Sequence, residues 1–286
     1  MSEKKLHSKA LNHLEKDLFE KGKINWNRSE EDIWATLQRE IDDKPANVVS
    51  FKQDVIQWVA AAVIFVLVGL LGVVSTYHKT INCLPGERMT AELPDGSTVE
   101  MNAASKLVYY PLKWKLERKV NFEGEGFFNV EKGSKFTVKS KYGSTQVLGT
   151  SFNIFARDKK YRVTCLTGKV QVHTGKDETV VLLPQNHAEL EEGKLVLTKM
   201  FNTEKAVSWK QNFFFFAGRP LKEVIDEIER QYAVTIKLDP ELNNRNFGSN
   251  FSKQHSVEDV LDFVCKPMSL KYTKQNENVY FVTEES

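Results

Sequence analysis

The stretch VIQWVAAAVIFVLVGLLGVVSTY, from Val55 to Tyr77, holds no formal charge across 23 residues. A helix needs about 20 predominantly apolar residues to cross a bilayer. A buried helix of a soluble domain usually keeps one polar face; here only Gln57, Ser75 and Thr76 interrupt the apolar run, all near its ends. Trp58 and Tyr77 stand 19 residues apart. At about 1.5 Å per residue their separation approaches the roughly 30 Å of a hydrocarbon core, and aromatic residues gather at both membrane–water interfaces. The reading is one transmembrane helix over 55–77. Fifty-four mostly polar residues come before it, too many for a cleaved signal peptide, which occupies about the first 15–30. The chain divides into a short head and a long tail.

The division carries little charge. The whole chain of 286 residues has a net charge of +2, with −1 before the span and +3 after it. That balance excludes a strongly basic nucleic-acid binder. A mean hydropathy of −0.41 excludes a multi-span transporter. Arg39, Lys44 and Lys52 before the span against Lys79 and Arg88 after it barely favour the N-terminus inside.

The head reads as two short helices. Leu11, Leu14 and Leu18 recur at helical spacing before Gly22. Ser29-Glu30-Glu31-Asp32 reads as a capping box that opens a second helix, with Ile33, Trp34, Leu37 and Ile41 on one face and Pro45 beyond its end. Two such helices bury little surface alone. Their stripes either pack on each other or fold onto a partner.

After the span the texture changes to short strands and turns. Met89, Ala91 and Leu93 alternate up to the turn Pro94-Asp95-Gly96-Ser97, and Val99, Met101 and Ala103 alternate after it. Further period-two pairs run to Val180 and Leu182, separated by DGS, EGE, YGS, TGK and EEGK, each read as a turn. Long crossover helices are absent, so 84–200 is expected to be all-β. Beyond Trp209 a strand-helix-strand pattern occurs twice, 36 residues apart. Phe213–Phe216 is the first strand, Gly218-Arg219-Pro220 opens a helix with Leu221, Val224, Ile225 and Ile228 on its stripe, and Val234–Leu238 follows. Val257, Val260, Leu261 and Val264 form the second stripe, behind a Ser256/Asp259 capping box, and strands Leu270–Thr273 and Val279–Val282 close the chain. A helix pair on one small sheet is the expectation for 210–283. The fold class is therefore multi-domain: a short α-helical head over 1–54, a transmembrane helix over 55–77, an all-β domain over 84–200 and a small α+β domain of βαβ repeats over 210–283.

Leu93-Pro94-Asp95-Gly96-Ser97 with Asn102-Ala103 and Tyr110-Pro111, Gly124-Glu125-Gly126-Phe127-Phe128, Val147-Leu148-Gly149-Thr150-Ser151-Phe152-Asn153-Ile154, and Gly168-Lys169-Val170 with Leu182-Leu183-Pro184 follow one another in order. Four such blocks behind one span resemble the FecR family of transmembrane sigma-factor regulators. Gln185 stands where that family usually has Gly, and Met101 where Leu is common. The C-terminal pattern resembles the short domain shared by secretins and TonB-dependent transducers, which follows the β domain in the Bacteroidetes-type branch of the family. The resemblance implies an inner-membrane protein with a cytoplasmic head and a periplasmic tail. On it, the stripe of Ile33, Trp34, Leu37 and Ile41 is the candidate surface for an extracytoplasmic-function sigma factor, and a TonB-dependent outer-membrane receptor and a site-2-type protease acting in the span are its other partners. It also implies self-cleavage as an option at Gly149-Thr150, by attack of the Thr hydroxyl on the preceding carbonyl. Catalytic turnover, cofactor and direct DNA contact are not implied.

Two other classes compete. A glycan-binding or hydrolytic β protein needs a carboxylate pair or an aromatic platform, for which only Trp114 offers itself. An envelope-assembly scaffold would oligomerise through 210–283. Phe213-Phe214-Phe215-Phe216 is either sheet interior or an edge for strand addition. GxxxxGK[ST], GxGxxG and HExxH are absent, and six scattered histidines show no ligand spacing. Cys83, Cys165 and Cys265 form no CxxC. Cys165 alternates with Val163 and Tyr161 as a buried residue would, whereas Cys83, just past the span, is placed to pair with another chain.

Overall fold

The computed structural model describes residues 29–42, 53–175, 178–199 and 202–285; the helix expected around Leu11, Leu14 and Leu18 lies outside them. Helix α1 (Glu30–Asp42) and helix α2 (Gln53–Thr76) come first. Ser29 caps α1, its Oγ accepting from Asp32 N at 3.3 Å and donating to the Asp32 carboxylate at 3.0 Å. Within α2, Val55–Thr76 is long and apolar enough to cross a membrane, with none of it buried against protein.

Thirteen strands then form one β module. They are β1 (Lys79–Cys83), β2 (Met89–Glu92), β3 (Thr98–Met101), β4 (Ser105–Tyr109), β5 (Arg118–Asn129), β6 (Phe136–Lys139) and β7 (Ser144–Val147). β8 (Ser151–Arg157), β9 (Lys160–Cys165), β10 (Val170–Thr174), β11 (Glu178–Leu182), β12 (Asn186–Glu191) and β13 (Lys194–Lys199) complete it. Strand β5 belongs to two layers. Its first half pairs with β4 and β6, and its second half with β3 and β8. All these pairings are antiparallel except β5 with β6.

The EGE segment expected to turn is instead the middle of β5. Gly124 sits at φ +121°, and a Cβ there would lie 2.3 Å from Ser105 Oγ. Glycine lets the strand change layers where it runs against β4, so one long strand replaces two short ones. Its inward residues Val120, Phe122 and Phe128 enter a single core. There Phe128 stacks on Phe152 with centroids 5.3 Å apart and meets Phe122 edge-on at 5.1 Å.

Cys83 is also corrected. It is the last residue of β1 and is buried in this core, so it is not available to another chain. Cys165 lies in the same core, Cys265 in a different one, and all three are free thiols. Trp114 is buried too, edge-on to Tyr109 and Phe136, and offers no platform. Gln185 takes the left-handed conformation, at φ +71°, that glycine would adopt more cheaply.

The C-terminal module has its own core. Its elements are β14 (Phe213–Pro220), α3 (Leu221–Tyr232), β15 (Thr235–Leu238), β16 (Asn246–Ser252), α4 (Val257–Cys265), β17 (Leu270–Asn276) and β18 (Val279–Glu284). One small sheet was expected, and two are observed. β14 pairs antiparallel with β16, and β15, β18 and β17 form a separate three-stranded sheet in that order. Leu221, Val224, Ile225 and Ile228 of α3 and Val260, Leu261 and Val264 of α4 fill the space that both sheets share. The four phenylalanines alternate as a strand does: Phe214 and Phe216 are buried and Phe213 is exposed. Ser256 and Asp259 close the capping box at the start of α4.

Candidate functional site

The α1 stripe is continuous, and none of the described residues covers it. Ile33, Trp34, Leu37 and Ile41 follow the i, i+4, i+8 and i, i+3 spacings of one helical face. All four are exposed, Trp34 by 68%. Glu30, Glu31 and Asp32 in the first turn complement the positive end of the helix dipole. This short helix is favourably capped and charged, and the described residues leave its apolar face uncovered.

Gly149 and Thr150 lie between β7 and β8. Gly149 has φ +149°, and a Cβ there would sit 2.7 Å from Lys132 Cα, so only glycine fits. Thr150 is buried; its amide donates to Val130 O at 3.2 Å, and its Oγ1 donates to Lys169 O at 3.2 Å. Gly168 packs against this peptide so closely that a Cβ there would stand 3.1 Å from Gly149 O. The hydroxyl is bonded to a backbone oxygen, not to a base. His173 and His187, the histidines of this module, bond Thr179 and Thr164 instead.

The third site was missed by sequence reasoning. It is the face where the C-terminal module meets the β module, and it is built from polar and charged groups. Asn102, on the loop between β3 and β4, accepts from Gln231 Nε2 of α3 at 2.7 Å. Its own amide donates to Glu125 at 2.8 Å and to Glu227 of α3 at 3.5 Å. Two carboxylates, one from each module, therefore share one donor. Asn153 gives Glu125 a second donor at 3.1 Å and receives the Trp209 indole N–H at 3.3 Å. Among the described residues, no cation is in direct contact with Glu125. Burial, and then the facing Glu227 charge, push its carboxyl above the usual carboxylate range.

Arg157 is buried beside this group. It donates to Ala103 O at 3.1 Å and Ser105 Oγ at 3.2 Å, and its Nε has no partner. Burial lowers its pKa. Further out the charges pair across the junction. Arg230 of α3 bonds Asp158 at 3.1 Å, and Glu223 of α3 pairs with Lys160 and Arg162. Arg219 meets Glu189 at 2.8 Å. Burial opposes ionisation of Glu223 and Glu189, but these cations prevail, aided at Glu189 by His187, and Glu189 is drawn down to about 2. Backbone ties complete the joint: Gly86 N donates to Arg230 O at 2.7 Å, and Arg88 donates to Trp209 O and to Asn212. A cavity of about 340 Å³ remains there, lined among others by Phe155, Trp209, Phe215 and Arg162.

Asn102 and Glu125 stand inside the quoted motif blocks, so the sequence did mark them. Glu223, Glu227 and Arg230 recur at helical spacing on α3, but a charged stripe by itself reads as a solvated face.

Two family models match this chain in order. The model described as FecR protein matches residues 79–171, and the one described as FecR, C-terminal, matches residues 213–281. The chain belongs to the FecR family. The first match runs from β1 into β10, so this FecR-family chain completes its β module with β11, β12 and β13 beyond the matched region. Two crystal structures of a proposed anti-sigma factor from Parabacteroides distasonis are similar to it. One shares 28% identity at a TM-score of 0.68 and the other 29% at 0.67; each alignment covers 73% of this chain and 100% of the other. No curated protein matches the chain.

Proposed function

We propose that this chain is a single-pass anti-sigma regulator. The head, residues 1–54, holds an extracytoplasmic-function sigma factor in the cytoplasm through Ile33, Trp34, Leu37 and Ile41. Residues 55–77 cross the inner membrane. The β module, which begins at Lys79 and fills the 84–200 region, and the C-terminal module over 210–283 lie in the periplasm and respond to a TonB-dependent outer-membrane transducer. Release follows when a site-2-type protease cuts within the span. Scission at Gly149-Thr150 belongs to the same reading; the positive φ of Gly149, which only glycine fits, supports it.

One observation carries the proposal: an exposed apolar stripe on a capped helix precedes a membrane-length apolar helix in a chain of the FecR family. The similarity to a proposed anti-sigma factor supports it. The test is co-purification of the full-length chain in detergent with the sigma factors of its own cell. One sigma factor is expected to be retained by the native chain and lost with Trp34→Asp. Retention of none by the native chain, or undiminished retention by the variant, overturns the proposal. For the scission, a fragment beginning at Thr150 is expected from the native chain and absent from Thr150→Ala.

A further inference from the structure

The end of the β module beside the membrane helix carries leucines that none of the described residues covers. Helix α2 ends at Thr76 and β1 begins at Lys79. Lys79 pairs with Tyr109, the last residue of β4, so the loop after β4 emerges where the chain leaves α2. The His78 ring stands 5.8 Å from the Tyr110 ring.

That loop reads PLKWKL over 111–116. Trp114 is taken into the core. Leu112 is left 50% exposed and Leu116 88% exposed, with Lys115 exposed between them. A third leucine is adjacent. Arg118 donates to the carbonyls of Glu131 and Ser134, and Gly133 between those two donates to Leu148 O at 2.9 Å. Leu148 is 65% exposed, and Lys132 and Lys135 beside it are exposed too. The acidic residues at this end are Glu117, which pairs with Lys119 at 3.3 Å, Glu131, and half-buried Asp95, which is neutralised by Arg118.

Exposed leucines among lysines, with few acids, suit the interfacial layer of a bilayer. Apolar side chains seat at the headgroup boundary while ammonium groups reach anionic headgroups. The reach is right. The three residues from Thr76 to Lys79 span at most about 10 Å, and each interfacial layer is roughly 5–8 Å deep.

We propose that Leu112, Leu116 and Leu148 are a second membrane contact, seated in the leaflet from which α2 emerges, with Lys115, Lys132 and Lys135 meeting anionic headgroups. The occupant is bilayer lipid. The contact holds the β module against the membrane instead of letting it swing on Tyr77 and His78. It rests on the reading of α2 as a spanning helix, so the test must separate the two.

The full-length chain is placed in nanodiscs of phosphatidylethanolamine and phosphatidylglycerol with bromine on the acyl chains. A fluorophore is attached in turn to Leu116→Cys, to Lys141→Cys and to Leu67→Cys. Lys141 is on the β6–β7 turn, at the opposite end of those strands, and Leu67 is inside α2. The native cysteines are buried and do not compete for label. Strong quenching is expected at Leu67 and Leu116, and none at Lys141. Quenching at Leu67 with Leu116 matching Lys141 overturns the loop contact and leaves the span intact; a protein partner on the loop gives this same result. No quenching at Leu67 removes the span and the loop contact together. Replacing phosphatidylglycerol with phosphatidylcholine is expected to cut Leu116 quenching at least twofold while Leu67 stays unchanged. An unchanged Leu116 signal removes the lysines from the proposal.

Discussion

Helices α1 and α3 are alike in pattern and opposite in setting. Each has 12 or 13 residues, acid in its first turn, arginine in its last and an amphipathic pattern. In α3 the stripe of Leu221, Val224, Ile225 and Ile228 is fully buried, and the opposite charged face is engaged by the β module. In α1 none of the 13 residues is buried. Amphipathicity states that a helix needs a cover, but not whether the cover belongs to the same chain. For α3 the chain supplies it. For α1 the described residues do not, which is why its stripe reads as a partner surface.

Placing a charge on each stripe tests that contrast most severely. Ile225→Asp puts an unpaired carboxylate in a closed core and is expected to unfold the C-terminal module, read as rapid proteolysis of residues 210–283. The milder Ile225→Ala is expected to cost about 2–5 kcal/mol in chemical denaturation. Trp34→Ala on α1 is expected to leave tail stability within about 0.5 kcal/mol but weaken sigma capture by roughly 30-fold, as loss of a hot-spot aromatic does. If Trp34→Ala instead lowers tail stability, α1 is covered by its own chain and the contrast fails.

The junction sharpens the comparison by pH. Glu125 has a raised pKa, so the docked state holds its proton more tightly than the undocked state does. Its contribution is complete below the ordinary carboxylate value and is lost as pH rises through the raised one. The protection of α3 amides, relative to their intrinsic base-catalysed exchange, is expected to fall over that rise, and Glu125→Gln is expected to abolish this fall. Glu189 and Glu223 work in the other sense. Their lowered pKa values keep the outer ion pairs complete above the ordinary value of 4.5 and lose them as pH falls, towards about 2 for Glu189. Protection of α3 that stays constant as pH rises above the ordinary carboxylate value would remove Glu125 from the junction's energetics.

The smallest expected effects are at the caps. Ser256→Ala is expected to lower tail stability by about 1 kcal/mol, read in denaturation. Ser29→Ala is expected to leave the tail unmoved and weaken sigma capture only a few-fold, because it frays a helix that still orders on its partner.

Much of the tail was legible because burial of alternate residues writes itself as period two. Val99 and Met101, and Val170 and Val172, alternate in sequence and lie inside. The error at Gly124 has a physical cause. A glycine between two glutamates has the composition of a turn, and only the closeness of Ser105 reveals a strand changing layers. Cys83 was misjudged because nearness to the span says nothing about which way a strand residue faces. The division of the C-terminal module into two sheets was equally hidden, since a strand's sequence does not name its partner.

Composition and periodicity by themselves determined the membrane-length helix, the capped amphipathic helices and the run of short strands. These follow from local spacing of apolar side chains and from turn chemistry, which neighbouring residues settle among themselves. The tertiary structure alone decided that Asn102, Glu125, Glu227 and Gln231 meet, that β5 serves two layers, and that Leu112, Leu116 and Leu148 share one end of the module. Those residues are distant in sequence, and their energies depend on burial and on facing charges that exist only after the chain has closed.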